Sequence, residues 1–171
     1  MPTPTHAFKQ DNLEVQVYAS RKAMGQAAAK AVEQRLREIL TEKERARVVF
    51  AAAPSQNEFL AALRQIGSIP WQRIEAFHMD EYVGLPYGAP QRFGTFLRER
   101  ILDLPFAQVS YLDGNAPDIE AECSRYATLL QEAPLDIVCA GIGENGHMAF
   151  NDPHVADFQD AAWVKPVTLD R

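Results

Sequence analysis

The chain has 171 residues, of which 47% are hydrophobic and 23% charged, so it has the length and apolar content for one globular domain with a substantial core. A formal net charge of -6 argues against a nucleic-acid binder, which normally carries a basic stripe to neutralise phosphates. The opening MPTPTHAFKQDN lacks an apolar h-region and no later window reaches bilayer-spanning length, so a soluble, cytoplasmic protein with no membrane partner is expected.

In chain order, LEVQVY at Leu13 to Tyr18 alternates like a half-buried strand. Ser20 then caps a predicted helix running to about Glu42, with Met24, Ala28, Val32, Leu36 and Ile39 on one face. The run VVFAAA, Val48 to Ala53, is apolar on both faces, as a central parallel strand reads. A second helix is expected from Ser55, carrying Phe59, Leu60 and Leu63, followed by a strand at Arg73 to Met79 and a loop rich in Gly and Pro. Helix, strand and helix recur at Gln91 to Leu102, Gln108 to Leu112 and Pro117 to Gln131. A strand at Leu135 to Ala140 and a last strand near Trp163 to Thr168 complete the pattern. This βαβ rhythm predicts a single three-layer α/β domain: a Rossmann-like, open, mostly parallel sheet with helices on both faces. Cys123 and Cys139 sit in apolar patterns without CxxC spacing and are expected to be buried thiols.

Ligands of such sheets gather where loops leave the carboxyl ends of strands, and three loops qualify. In the first, Ala53-Pro54-Ser55-Gln56-Asn57-Glu58, Ser55 and Glu58 fit a capping box, which by itself is only a well-made helix start. The same helix N-terminus, with the Ser55 hydroxyl and Gln56 amide, also suits a phosphate. In the second, HMDEYVGLP, Asp80 and Glu81 fall where the strand gives out. Adjacent carboxylates are commonly solvated surface, but neighbours at a strand end point different ways, so one can enter a cleft while the other anchors the loop. A carboxylate shielded there would have a raised pKa and serve as a base.

The third loop, GIGENGHMAFNDP from Gly141 to Pro153, opens with G-x-G-x-x-G. A dinucleotide fingerprint needs those glycines to start a long helix, and Asn151-Asp152-Pro153 interrupts one almost at once. The glycines read instead as backbone that approaches a ligand closely, with Asn145-Gly146 as the tight turn that delivers His147. A lone His is often a satisfied polar residue; this one has Glu144, Asn145 and Asp152 nearby to orient its imidazole.

The phrases FHMDEYVGLP and GIGENGHMAFNDP, in that order, resemble the signatures of the glucosamine-6-phosphate deaminase (isomerase) family. APSQNEFLAAL, QRFGTFL and LDGNAPDIEAEC support the resemblance, which runs from about Leu13 to the end of the chain. The sister 6-phosphogluconolactonases share the fold but typically carry DER and ASLFP where this chain has DEY and AFNDP. The resemblance implies an enzyme that opens a 2-amino-2-deoxy sugar phosphate, shifts a proton from C2 to C1 through an enediol-type intermediate, and releases ammonia to leave a ketose phosphate. It implies Asp80 as the base and His147 as the ring-opening proton shuttle, tuned by Asn145 and Asp152. The sugar phosphate would be held by Ala53, Pro54, Ser55, Gln56, Glu81 and Gly143. No cofactor and no metal are implied, and homo-oligomerisation is left open.

Two features depart from the family pattern. Its best-known deaminases read GNDGH and NEP where this chain reads GENGH and NDP, so Asn145 replaces a carboxylate beside His147. The chain also ends at VKPVTLDR, matching only the front part of the family domain, whose later elements supply basic residues for the substrate phosphate. Weak or absent turnover by these 171 residues is the expectation. Two alternatives remain, a lactonase of the same fold and a non-catalytic sugar-phosphate-binding module.

Overall fold

A computed structural model describes residues 2–169. Strands β3 (Ala46–Phe50), β4 (Ile74–His78), β5 (Gln108–Ser110) and β6 (Ile137–Cys139) form a sheet in the order β5-β4-β3-β6. All three pairings are parallel, with Val48 opposite Ala76, Phe77 opposite Ser110, and Val49 opposite Val138. Helix α1 (Arg21–Glu42) leads into β3, and α2 (Asn57–Arg64), α3 (Phe93–Leu97) and α4 (Ile119–Gln131) connect the successive strands.

Alternation along the central strands splits the core in two. Val48 and Phe50 of β3, with Ile74 and Ala76 of β4, face a cluster that includes Leu36, Leu60, Leu63, Leu97 and Ile101 from the α1, α2 and α3 side. Val49 and Phe77 point the other way, against Tyr126 of α4. The expected three layers are therefore present, and every residue of β3 is buried.

Local chemistry explains the helix ends. Ser20 caps α1 as expected, accepting from the Ala23 N–H at 3.2 Å. Asp118 caps α4 by accepting from Ala121 N–H at 3.0 Å. Arg47 takes up carbonyls at the end of α4, its guanidinium donating to Leu129 and Leu130 of the helix and to Ala133 just past it. A buried cation at a helix C-terminus faces the negative end of its dipole, so this arginine is tolerated inside β3. It also pairs with Glu75 and lies 4.8 Å from the Phe77 ring centroid.

Several boundaries differ from expectation. The buried stripe of α1 is Gly25, Ala29, Glu33, Leu36, Ile39 and Leu40, while Met24 and Ala28 are exposed. The reason is the α1–α2 contact: a Cβ at Gly25 would stand 2.6 Å from the Glu58 carbonyl carbon, so the side without a side chain turns inward. LEVQV pairs not with the main sheet but with a strand absent from the sequence expectation, β1 (His6–Gln10), forming an antiparallel hairpin with β2 (Leu13–Val17). Its two-residue turn has Asp11 at φ 52°. No strand forms at Trp163 to Thr168. That segment carries Pro166, which cannot donate to a ladder, and it crosses the α4 face, where Val164 packs on the Val49–Phe77–Tyr126 cluster. The helix expected at Gln91 to Leu102 is shorter, with α3 passing into a π-helical turn at Arg98–Leu102.

Candidate active site

All three loops singled out by sequence leave the carboxyl end of the parallel sheet. The Met79 N–H donates to the Phe50 carbonyl at 3.1 Å, extending the β3–β4 ladder by one residue, and Asp80 is the next along. Burial, with the Glu81 charge adding to it, pushes the Asp80 carboxyl up to about 7. Among the described residues it makes no side-chain hydrogen bond, so nothing offsets the loss of water around the charged form.

Glu81 lines the same cavity, but its carboxylate is committed elsewhere. Its carboxylate accepts from the N–H groups of Phe93 (3.0 Å) and Gly94 (3.1 Å) at the start of α3 and from its neighbour Tyr82 (3.0 Å). Arg92 Nε stands 3.5 Å away in a pair where both side chains are nearly buried. Three backbone donors and a guanidinium occupy this carboxylate, so Glu81 anchors the loop from which Asp80 projects.

The third loop builds a compact unit. The Gly143 N–H donates to the His147 carbonyl at 2.9 Å and Gly146, at φ 87°, donates to the Gly143 carbonyl at 3.0 Å. A Cβ at Gly143 would come within 2.1 Å of the His147 ring, so this glycine makes room for the imidazole. His147 Nδ1 lies 2.6 Å from Asn145 Oδ1 and 3.3 Å from Asp152 Oδ1, and Asn145 Nδ2 donates to Asp152 at 3.2 Å. Asn145 Oδ1 also accepts from the His147 backbone N–H, so the amide fixes both the main chain and the ring. The Asn145 and Asp152 singled out by sequence thus sit around His147.

The Ser55 loop departs from the capping-box expectation. Pro54–Gln56 form a 3-10 turn capped by Ala53 without a side-chain bond, and Ser55 Oγ accepts from Gln56 Nε2 at 3.4 Å. Glu58 instead forms a bidentate pair with Arg21 of α1, at 2.7 and 2.8 Å. A Cβ at Gly141 would stand 3.3 Å from Gln56 Nε2 and 3.4 Å from Ser55 Oγ, so the glycine loop lies directly against this turn.

A cavity of about 830 Å³ runs along the α4 face. Asp80, Tyr82, Leu112, Asp113 and the residues flanking His147, Gly146 and Met148, line it. Ser55, Gln56 and the His147 ring stand outside that lining. Three aromatic residues that sequence reasoning passed over tie the loops together: Tyr82, Phe93 and Phe150, with ring centroids 4.9 to 5.5 Å apart. All three lie inside quoted motifs, Tyr82 in FHMDEYVGLP, Phe93 in QRFGTFL and Phe150 in GIGENGHMAFNDP, which was the available signal. Among the described residues no group of three or more His, Cys, Asp or Glu is placed to hold a metal, and no helix is long and apolar enough to cross a membrane.

A parallel sheet covered by helices, with a shielded carboxylate and an oriented histidine at its carboxyl end, defines an α/β protein with a candidate active site at that end. The chain belongs to the glucosamine-6-phosphate isomerases/6-phosphogluconolactonase family, whose sequence profile matches residues 19–169. It is 34% identical over 115 residues to the glucosamine-6-phosphate deaminase of Serratia proteamaculans (strain 568), covering 65% of this chain and 43% of that protein. It is 32% identical over 142 residues to the glucosamine-6-phosphate deaminase of Bacillus cereus (strain B4264), covering 82% and 52%. The chain therefore spans about half the length of the curated relatives it matches. Among solved structures it resembles a monomeric glucosamine-6-phosphate deaminase with a TM-score of 0.72 and 28% identity, over 82% of this chain and 59% of that one. The 6-phosphogluconolactonase of Thermotoga maritima shares the fold, with a TM-score of 0.64 and 24% identity over 73% and 58%.

Proposed function

We propose that this chain carries the catalytic front of a glucosamine-6-phosphate deaminase, converting glucosamine 6-phosphate and water to fructose 6-phosphate and ammonia. The observation that carries the reading is the pairing, at one cavity, of a shielded Asp80 with the turn that holds His147. His147 moves a proton from the anomeric hydroxyl to the ring oxygen, opening the sugar. Asp80 then takes the proton from C2 of the aldehyde form and returns it to C1 of the enediol-type intermediate. The carbon–nitrogen double bond left at C2 takes up water and expels ammonia, giving the ketose. A carboxyl titrating near neutrality suits a base that must both accept and return a proton. The Ser55–Gln56 turn, beside the glycine loop, is the proposed seat of the phosphate, through backbone N–H groups and the Ser55 hydroxyl.

The test is ammonia release from glucosamine 6-phosphate, with lactone hydrolysis measured in parallel. Turnover that disappears in Asp80→Asn, while fructose 6-phosphate still binds, supports the reading. Lactone hydrolysis without ammonia release would move the chain to the lactonase branch, and binding without either reaction would make it a binding module.

A further inference from the structure

His78, the last residue of β4 and two positions before Asp80, has no part in the proposed chemistry, yet its surroundings are unusually constrained. The residue is 1% exposed. Its Nε2 accepts from the Leu112 backbone N–H at 2.7 Å, which requires an unprotonated Nε2 and so places the ring proton on Nδ1. The main chain of His78 is held as well: its N–H donates to the Tyr126 hydroxyl at 3.0 Å, and that hydroxyl lies 2.9 Å from the His78 carbonyl and 3.2 Å from that of Ser110. Tyr111 and Tyr126 meet the ring edge-on, with centroids 5.6 and 6.2 Å away.

The contacts bridge two loops. Beyond the Phe77–Ser110 pair the β4–β5 ladder stops, and the imidazole takes over as the link between the strands. The segment after β5 then reaches back to the Asp80 loop, with the Gly84 N–H donating to the Gly114 carbonyl at 2.8 Å and Asn115 Nδ2 to the Leu85 carbonyl at 2.7 Å. His78, Asp80 and Leu112 line the same cavity. The Nδ1–H has no hydrogen-bond partner of ordinary geometry, alone among the buried side-chain nitrogen and oxygen atoms of the described residues. Stability by itself does not favour this choice, because an apolar side chain of similar volume would fill the space without an orphaned donor. Leucine, however, could not accept the Leu112 N–H.

We propose that His78 is a positioning residue for Asp80: its imidazole, fixed as the Nδ1–H tautomer, latches the segment after β5 to the end of β4 and thereby sets the direction from which the Asp80 carboxylate enters the cavity. The proposal rests on the deaminase reading of that cavity. The ring is neutral near neutral pH, since burial holds it down at about 4 with the Arg92 guanidinium helping, despite the Glu81 carboxylate, the Asp80 backbone beside the ring and the Glu122 carboxylate. A neutral latch leaves the Asp80 carboxyl without a cation that would lower its proton affinity.

The test compares the parent protein with His78→Gln, whose amide oxygen can replace the Nε2 acceptor, and His78→Leu, which cannot. In the parent, the ring 15N shifts of His78 should report the Nδ1–H tautomer; the Nε2–H tautomer would overturn the proposal whether or not either variant folds. In His78→Leu the Leu112 amide should exchange about tenfold faster or more, and the Asp80 carboxyl 13C titration should move down toward ordinary aspartate values as water enters. The rate of ammonia release should fall about ten- to a hundredfold with KM little changed, and Gln should recover most of all three. An Asp80 titration that is the same in all three proteins overturns the latch, as does a Gln variant that behaves like Leu. A parent that makes no ammonia defeats the deaminase reading alone, because exchange and titration still decide what His78 does.

Discussion

Replacing Asp80 by Asn should make the protein more stable and inactive at once, and the size of the gain follows from its surroundings. The carboxyl rises from an ordinary 3.8 to about 7 on folding, first through burial and then through the Glu81 charge. Each pKa unit is worth about 1.36 kcal/mol, so about three units set a ceiling near 4 kcal/mol. A raised aspartate binds its proton more tightly in the native state, so the native state is favoured when the group is neutral. That advantage is complete below 3.8 and is lost as pH climbs to about 7, above which the native state holds a charge it disfavours. Asparagine is neutral throughout. In urea unfolding, the stability of Asp80→Asn minus that of the parent should therefore be smallest at pH 4 and grow by about 2–4 kcal/mol by pH 8, part of the ceiling being lost to water that enters the open cavity. Ammonia release should vanish while fructose 6-phosphate binding survives. A stability difference that stays constant from pH 4 to pH 8 would refute the argument, since it would mean that Asp80 titrates alike in the folded and unfolded chains.

Other substitutions test the frame around the site. Gly143→Ala drives a methyl into the His147 ring; the loss of the His147–Asn145 contact, seen by NMR, should accompany at least about a tenfold drop in ammonia release with melting little changed. Gly25→Ala forces α1 off the α2 backbone and should lower stability by about 1–3 kcal/mol in urea unfolding, without altering the pH dependence of any activity. Arg47→Met removes the guanidinium that holds the end of α4 and leaves three carbonyls unanswered; amides of the last turn of α4 should exchange faster than those of β3.

Sequence patterns carried the sheet because the signals were physical and local. Val48, Val49 and Phe50 read as a two-faced buried strand and are one. Ser20 read as a cap and its hydroxyl accepts from Ala23. Two of the misses have a different cause, namely contacts that no local pattern records. Gly25 turned the buried stripe of α1 because a partner helix comes close, and Arg47 is buried because α4, more than 80 residues on, ends beside it. The Trp163 to Thr168 stretch has strand-like composition but lies across the second face of the sheet instead of along its edge.

At the site, residue types were legible and the resemblance pointed to Asp80 as the base, but the physical reason that separates it from Glu81 was not legible. Two adjacent carboxylates after β4 carry identical chemistry in the sequence, and only the position of α3 separates them. The free N–H groups of Phe93 and Gly94 draw Glu81 toward the helix start, and because successive residues at a strand end diverge, Asp80 is sent into the cavity. The same anchoring brings a negative charge close enough to raise the proton affinity of Asp80 further. Glu81 thus acts on Asp80 twice, through geometry and through charge. A Glu81→Gln variant should keep much of the first effect, since its amide oxygen still accepts from α3, and lose the second. Its Asp80 titration should move down from the parent value, though by less than the full rise, because burial is the larger cause. A carboxyl 13C titration of the two proteins decides the point: equal midpoints would leave burial as the whole explanation and reduce Glu81 to an anchor.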